Sequence, residues 1–307
     1  MISILLAAYN GAGYISEQLE SLLEQTTPFD TLYIQDDCSA DNTWSIIERY
    51  QKQYPDRIII SRNEKNSGNT KHNFMSLMSH VRDDYIMLCD QDDVWLPQKI
   101  ENAIAKMREM EQKHGKNMPL LVHTDLVVVD KTLGLINPSF DNMVGTACIS
   151  SLKQLILQCN VTGCTVMYNK PLAEYISREP RFLVMHDWWL ALTAMCFGKT
   201  EFLDSADILY RQHGANVLGA VDIKGIRYIV RKVLNFKAIK TALAEAYCQA
   251  GALLDEYREY LTAEQVELLT IYSSLPQHRK LKRLMLMKKH GLFRKGFYRT
   301  LSQIFFG

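Results

Sequence analysis

The residues best suited to chemistry in this sequence close an apolar run. Residues 85–95 read YIMLCDQDDVW, so a stretch of strand formers delivers Asp90, Gln91, Asp92 and Asp93 at its end. Such a cluster serves a hydrophobic core badly and a hard divalent cation well. Mg²⁺ takes oxygen ligands and is commonly held by one or two carboxylates plus the phosphates of a substrate. In extended chain, residues i and i+2 share a face, so Asp90 and Asp92 are expected to point into one site while Gln91 points away. A calcium loop is excluded, because its glycine and distal glutamate are missing. The competing structural reading is a capping loop ahead of Pro97.

Other apolar runs also finish on polar groups. The first ends in Ala7, Ala8, Tyr9, Asn10 and Gly11, and the second in Gln35, Asp36, Asp37, Cys38 and Ser39. After the third come Asn66, Ser67, Gly68 and Asn69, then Lys71, His72 and Asn73. A carboxylate in such a loop can accept from a pyrimidine N3–H or a ribose hydroxyl, or simply cap a turn. Further on, Met185, His186, Asp187, Trp188 and Trp189 open an apolar helix. Asp187 reads either as its N-cap or as a general base for an acceptor hydroxyl. The helix dipole favours an ionised carboxylate there, which weakens the base without disabling it at neutral pH. Trp188 or Trp189 offers a face to a sugar ring, with core packing expected for at least one. Tyr210, Arg211, Gln212 and His213 end the last extended run. Arg211 is a candidate phosphate clamp and His213 a candidate metal ligand; a solvated loop is the alternative for each.

The elements that must position these groups alternate. Strands are expected at 2–8, 31–36, 57–61 and 85–90, with helices at 14–25, after Asp41, through Phe74, Leu77, Met78 and Val81, and from Pro97 to about 113. This alternation predicts an α/β fold with a mainly parallel sheet, whose ligands sit at the carboxyl ends of the strands. Beyond 120 the pattern mixes strands (120–130, 161–168, 201–212) with helices (151–158, 186–196). From about 221 it is helical, and Thr262 with Gln265 forms a capping box. A boundary at 214–219 divides a catalytic domain, 1–215, from a helical region, 216–307. The segment from Gly11 to Ser16 nearly matches GxGxxG, with Asp36 about 20 residues on, as in dinucleotide enzymes. Ser16 stands where the third glycine belongs, and a nicotinamide site has no use for the aspartate cluster.

At 307 residues and 47% hydrophobic, the chain can bury one large domain or a domain with an extension. No apolar run reaches the roughly 18 residues of a membrane span. The opening MISILLAAYNG reads as a strand rather than a leader, and seven scattered cysteines read as reduced thiols, so a cytoplasmic protein is expected. The net charge of +1 is the difference between about −8 on residues 1–267 and the nine Lys and Arg that follow Glu267 with no acid among them. Phe293, Phe297, Leu301 and Ile304 recur at helical spacing beside Arg294, Lys295 and Arg299, the pattern of a helix lying at a membrane interface. Packing on the domain or homodimer formation is the alternative. Nucleic acid is not expected, because the body is acidic and no reading motif accompanies the tail.

Taken in order over residues 1–215, these pieces resemble inverting glycosyltransferase family 2 and its GT-A fold. AAYNG is similar to the family's first strand and nucleotide loop; Asp36, Asp37, Cys38 and Ser39 resemble its DDGS element. Asn66, Ser67 and Gly68 with Lys71, His72 and Asn73 resemble N-x-G…A-R-N, Asp90, Gln91 and Asp92 its D-x-D, and His186 with Asp187 its E-D base motif. The wording DQDDVW, HDWW and YRQHGAN looks most like rhamnosyltransferases of bacterial surface polysaccharides. The resemblance implies Mg²⁺ or Mn²⁺ held by Asp90, Asp92 and His213, with Asp187 as base and Trp188 and Trp189 toward the acceptor. It implies a donor pocket drawn from Ala8, Tyr9, Asn10, Asp36, Asp37, Asn66, Gly68, Lys71, Asn73, Gln91 and Arg211. It further implies dTDP-L-rhamnose as donor and a lipid-linked saccharide as acceptor. UDP- or GDP-sugars are the alternative donors. A nucleotidyltransferase would need a basic glycine-rich loop that residues 8–13 lack, and a non-catalytic glycan-binding module is the remaining reading. Cys38 for glycine, Lys71 and His72 for Ala-Arg, and His186 for glutamate depart from the family pattern.

Overall fold

β1 (Ile2–Ala8) is buried along nearly its whole length, because strands flank both its edges. The computed structural model describes residues 1–144, 149–213 and 236–306. β1, β2 (Thr31–Asp36), β3 (Ile58–Arg62) and β4 (Tyr85–Asp90) run parallel in the order β3-β2-β1-β4. The connections carry α1 (Ile15–Leu23), α2 (Thr43–Gln53) and α3 (Thr70–His80). Ala8 lies opposite Asp36, Ala7 opposite Asp90, and Asp36 opposite Arg62. All four strands therefore end at one level, which places their polar sequels along one edge, as the parallel α/β reading requires.

The sheet continues through shorter and longer strands. β5 (Val94–Trp95) precedes α4 (Lys99–His114); β6 (Leu120–Asp130), β7 (Leu135–Asn137), α5 (Phe140–Val144) and α6 (Leu152–Leu155) follow. Then come β8 (Met167–Asn169), α7 (Lys170–Ala173), α8 (His186–Phe197) and β9 (Lys199–Gln212). The full order is β3-β2-β1-β4-β8-β6-β9-β5, with β7 on β6. β8 is antiparallel to both neighbours, β9 is parallel to β6, and β5 is antiparallel to β9. The strand expected at 161–168 is broken by a 3₁₀ turn, Gly163–Thr165, where the Thr165 hydroxyl and amide both donate to the Thr162 carbonyl.

Four helices close the chain: α9 (Phe236–Tyr257), α10 (Ala263–Ser274), α11 (Lys280–His290) and α12 (Phe297–Phe306). α10 opens on the expected box, the Gln265 amide N–H donating to Thr262 Oγ1 and the Thr262 N–H to Gln265 Oε1. Among the described residues no helix is long and apolar enough to cross a membrane. The chain divides into two compact units. One comprises Met1–Asp141, Val161–Glu179 and Gly198–Ala220 and holds the whole sheet; the other comprises Asn142–Asn160, Pro180–Phe197 and Val221–Gly307. The boundary expected at 214–219 lies outside the described residues, as does the helix expected from 221 to 234. The division is not a single cut, for α8 groups with the closing helices.

His123, on β6, is buried with its ring 5.3 Å from that of Phe202, and burial pushes its imidazole down to about 4. Between that value and the unfolded value near 6.5, the unfolded chain takes a proton that the fold refuses. Stability is therefore lost as pH falls through this window and is fully present above it. Urea denaturation at pH 7 and pH 5 is expected to show His123→Gln losing about 2 kcal/mol less than the parent chain over that interval.

Candidate active site

β4 ends at Asp90, and the turn at Gln91 and Asp92 leads directly into β5. Because Val94 lies opposite Leu209 in an antiparallel pair, continuing that register past the strand sets Asp92 against Arg211, with His213 close by. His213 Nε2 lies 2.7 Å from Asp92 Oδ2, both side chains half-buried, and the Tyr14 ring stacks on the imidazole at 4.7 Å. Two donor atoms this close can serve as neighbouring ligands of one cation. An oxygen and an imidazole nitrogen suit Mn²⁺, and Mg²⁺ with added oxygen ligands.

The turn ends the strand's alternation, so Asp90 gains a second set of neighbours. Its carboxylate, that of Asp93 and the Cys164 thiol lie within 4.8 Å of one another. Asp93 is fully buried; one oxygen accepts the Arg211 amide N–H at 3.1 Å, and the Cys164 thiol lies beside the carboxyl. Burial first, then the charges of Asp90 and Asp92, push its carboxyl well above the ordinary range. Lys99 is equally buried, its ammonium 4.6 Å from the Trp95 ring centroid, and burial lowers it to about 8.

Arg211 is not disposed as the expected phosphate clamp. Its buried guanidinium donates from Nε to the Asp92 carbonyl at 2.8 Å and from Nη1 to the Lys131 carbonyl at 2.9 Å, and pairs through Nη2 with Glu17. The planar fork is spent on protein acceptors, so it shapes the turn that presents Asp92.

Gln91 fastens this turn to the first loop: its Oε1 accepts the Tyr9 N–H at 2.9 Å and its Nε2 donates to the Tyr9 carbonyl at 2.8 Å. A Cβ on Gly11 would come within 2.1 Å of Gln91 Oε1, so a larger residue there would displace the Gln91 amide from Tyr9. The Asn10 N–H donates to Ser39 Oγ, and Asn10 Oδ1 accepts from the Ala40 N–H. Asp36 is buried, paired with Arg62 at 3.0 Å and accepting the N–H and hydroxyl of Ser39. Asp37, also buried, accepts from the Asn63 amide at 2.6 Å and from the N–H and hydroxyl of Ser67. Asn66 donates to the Asp37 carbonyl and accepts from the Gly68 N–H, while Asn73 donates to the Gln35 carbonyl. Lys71 is half-buried in the first turn of α3, its N–H bonded to the Asn69 cap. The three loops are thus one stitched edge. Tyr9, Asn10, Asn66 and Gly68 remain exposed along it, whereas Ala8 is buried. Cys38 sits at φ 59°, where a side chain costs about 1–2 kcal/mol and glycine would sit without strain.

In the second unit Asp187 lies in the first turn of α8, one carboxylate oxygen accepting the Trp188 N–H at 2.6 Å. His186 is buried and lowered by burial to about 3. The tryptophans do not offer the open faces expected for an acceptor sugar. Trp188 is buried with its indole N–H on the Leu155 carbonyl at 2.7 Å, and Trp189 is core beside Tyr257. Tyr14, Glu17, Lys99 and Cys164 were not among the expected site residues. Tyr14 and Glu17 sit in and just after the segment that resembles a dinucleotide loop, and their use shows only once β9 is placed. Arg211→Met should leave the Asp92 and Lys131 carbonyls without their donor and cost about 1–3 kcal/mol, with Arg211→Lys recovering part of it, as urea denaturation would read.

Comparison with known proteins bears on this arrangement. Residues 3–113 match the model of Glycosyl transferase family 2. The chain is 30% identical over 230 residues to the dTDP-rhamnosyl transferase RfbG of Shigella flexneri, covering 70% of this chain and 74% of that protein. It is 27% identical over 240 residues to the UDP-Glc:alpha-D-GlcNAc-diphosphoundecaprenol beta-1,3-glucosyltransferase WfaP of Escherichia coli, covering 78% and 86%. The fold resembles that of S. aureus TarS 1-349 in complex with UDP-GlcNAc, with a TM-score of 0.57 at 16% identity over 95% of this chain and 87% of that one. With the strand-end acids in place and a relative of this identity and coverage, the chain belongs to glycosyltransferase family 2 and is a glycosyltransferase.

Proposed function

We propose that the chain transfers a sugar, L-rhamnose from dTDP-L-rhamnose, to a hydroxyl of a growing lipid-linked surface polysaccharide, with inversion at the anomeric carbon. The contact between Asp92 and His213 carries this reading, because it gathers an oxygen and a nitrogen ligand where parallel strands end. Mg²⁺ or Mn²⁺ bound there, with Asp90 helping directly or through water, would act as a Lewis acid toward the departing diphosphate. Asp187 takes the proton of the acceptor hydroxyl as its oxygen bonds to the anomeric carbon and the bond to the diphosphate breaks. The loops carrying Tyr9, Asn10, Asn66, Gly68 and Lys71 border the donor, and Asp36 and Asp37 hold those loops in register for the base and ribose. The names of the relatives support the rhamnosyl donor and the polyprenyl-linked acceptor respectively. Six free cysteines among the described residues suit a cytoplasmic, reducing location.

Thermal unfolding in the presence of Mn²⁺ with dTDP-, UDP- or GDP-sugars tests the donor. A ligand at a hundred times its Kd adds about 2.7 kcal/mol of stability, so dTDP-rhamnose should raise Tm more than the others at equal concentration. Asp92→Asn and His213→Ala should each abolish the Mn²⁺-dependent part of that rise. Asp187→Asn should keep the rise and lose about 10²–10⁴ in transfer rate; turnover near that of the parent chain would remove the base assignment.

A further inference from the structure

The basic stretch after Glu267 is not spread evenly over the surface of the second unit. In α11 the buried side is carried by Met287, and the opposite side is exposed: Leu281 at 74% and Met285 at 63%, one helical turn apart. Phe305, 61% exposed, stands beside the first turn of this helix, where Lys280 Nζ donates to its carbonyl at 3.2 Å and lies 5.9 Å from its ring centroid. Arg279, Lys280 and Lys282, the sequence neighbours of Leu281, are all exposed. Lys288 and Lys289 continue the same side of α11 and line an open groove of about 590 Å³ with Lys153, Glu264 and Glu267. The two glutamates offset charge at that end, whereas residues 279–282 hold three cations and no acidic residue.

The stripe expected at a membrane from sequence is disposed differently. Gln303 is buried and donates to the Leu292 carbonyl, Arg294 Nε donates to the Leu157 carbonyl, and Leu301 and Ile304 are half-buried. α12 is therefore seated on its own unit, and among the described residues after Glu267 the large apolar side chains most exposed are Leu281, Met285 and Phe305.

We infer that Leu281, Met285 and Phe305, with the neighbouring cations Arg279, Lys280 and Lys282, form a docking face for an anionic phospholipid leaflet. Charge complementarity selects this occupant. No acidic residue follows Glu267, each cation close to an anionic leaflet favours binding about 5-fold, and amphipathic helices of this kind set apolar side chains into the headgroup boundary. A nucleic acid would meet the same cations but gains nothing from three exposed apolar side chains. The inference does not depend on the donor, the metal or Asp187, and its test measures no transfer.

The full chain should float with vesicles of phosphatidylcholine containing about a third phosphatidylglycerol at about 0.1 M salt, and be released at about 1 M, where the Debye length falls to about 3 Å. Vesicles of phosphatidylcholine alone should bind at least about 10-fold less. Leu281→Ser with Met285→Ser, and separately Lys280→Gln with Lys282→Gln, should each lower binding about 10-fold or more while Tm stays unchanged. Failure of the parent chain to float at low salt would overturn the inference, as would flotation untouched by both double variants. A dimer in sedimentation velocity that Leu281→Ser with Met285→Ser converts to monomer, without vesicle binding, would assign the face to a second copy instead.

Discussion

One buried guanidinium organises the first unit's site. Arg211 joins the end of β9 to the turn after β4, to the residue following β6 and to α1, through the carbonyls of Asp92 and Lys131 and the carboxylate of Glu17. A buried charge costs several kcal/mol unless it is paired and hydrogen-bonded, so this arrangement tolerates little displacement of any partner. Its consequence is positional: Arg211 fixes the Asp92 backbone and lies against the Tyr14 ring, which in turn stacks on the His213 imidazole that meets Asp92. The antiparallel pairing of β5 with β9 is the backbone half of the same constraint.

The parallel half of the sheet was legible because its signals were local. Each strand read as an apolar run, each sequel as polar, and the common level of Ala8, Asp36 and Asp90 follows from parallel pairing. The Asp92–His213 contact is another matter, since its partners are 121 residues apart and depend on the register of a two-residue strand. Spacing nominates both residues, but only the fold brings them together. Arg211 shows the limit most plainly: a cation at a strand end looks the same in sequence whether it faces a phosphate or two backbone carbonyls.

Asp36 and Asp37 unite the two readings of a strand-end acid. Their oxygens accept from Ser39, Arg62, Asn63 and Ser67, so both are turn residues in the ordinary sense. Those bonds are also what draws the second and third loops into one edge with the first. Cys38 between Asp37 and Ser39 pays for that geometry in backbone strain, offset in part by its Sγ contact with the Asn63 carbonyl at 2.8 Å.

The helical side was harder to read for a physical reason. At the carboxyl ends of parallel strands, position alone nominates a polar residue for the ligand edge, even where its use stays open. On α8, His186, Asp187, Trp188 and Trp189 are all buried, so packing claims each side chain before chemistry does. Trp188 satisfies its indole N–H within its own unit, and burial holds His186 neutral at physiological pH. A helix apolar on every side announces burial, and it hides which of its few polar atoms remain for a substrate. Asp187, in the first turn of that helix, accepts the Trp188 N–H, so packing and a backbone bond already account for a carboxylate whose type alone would suggest chemistry.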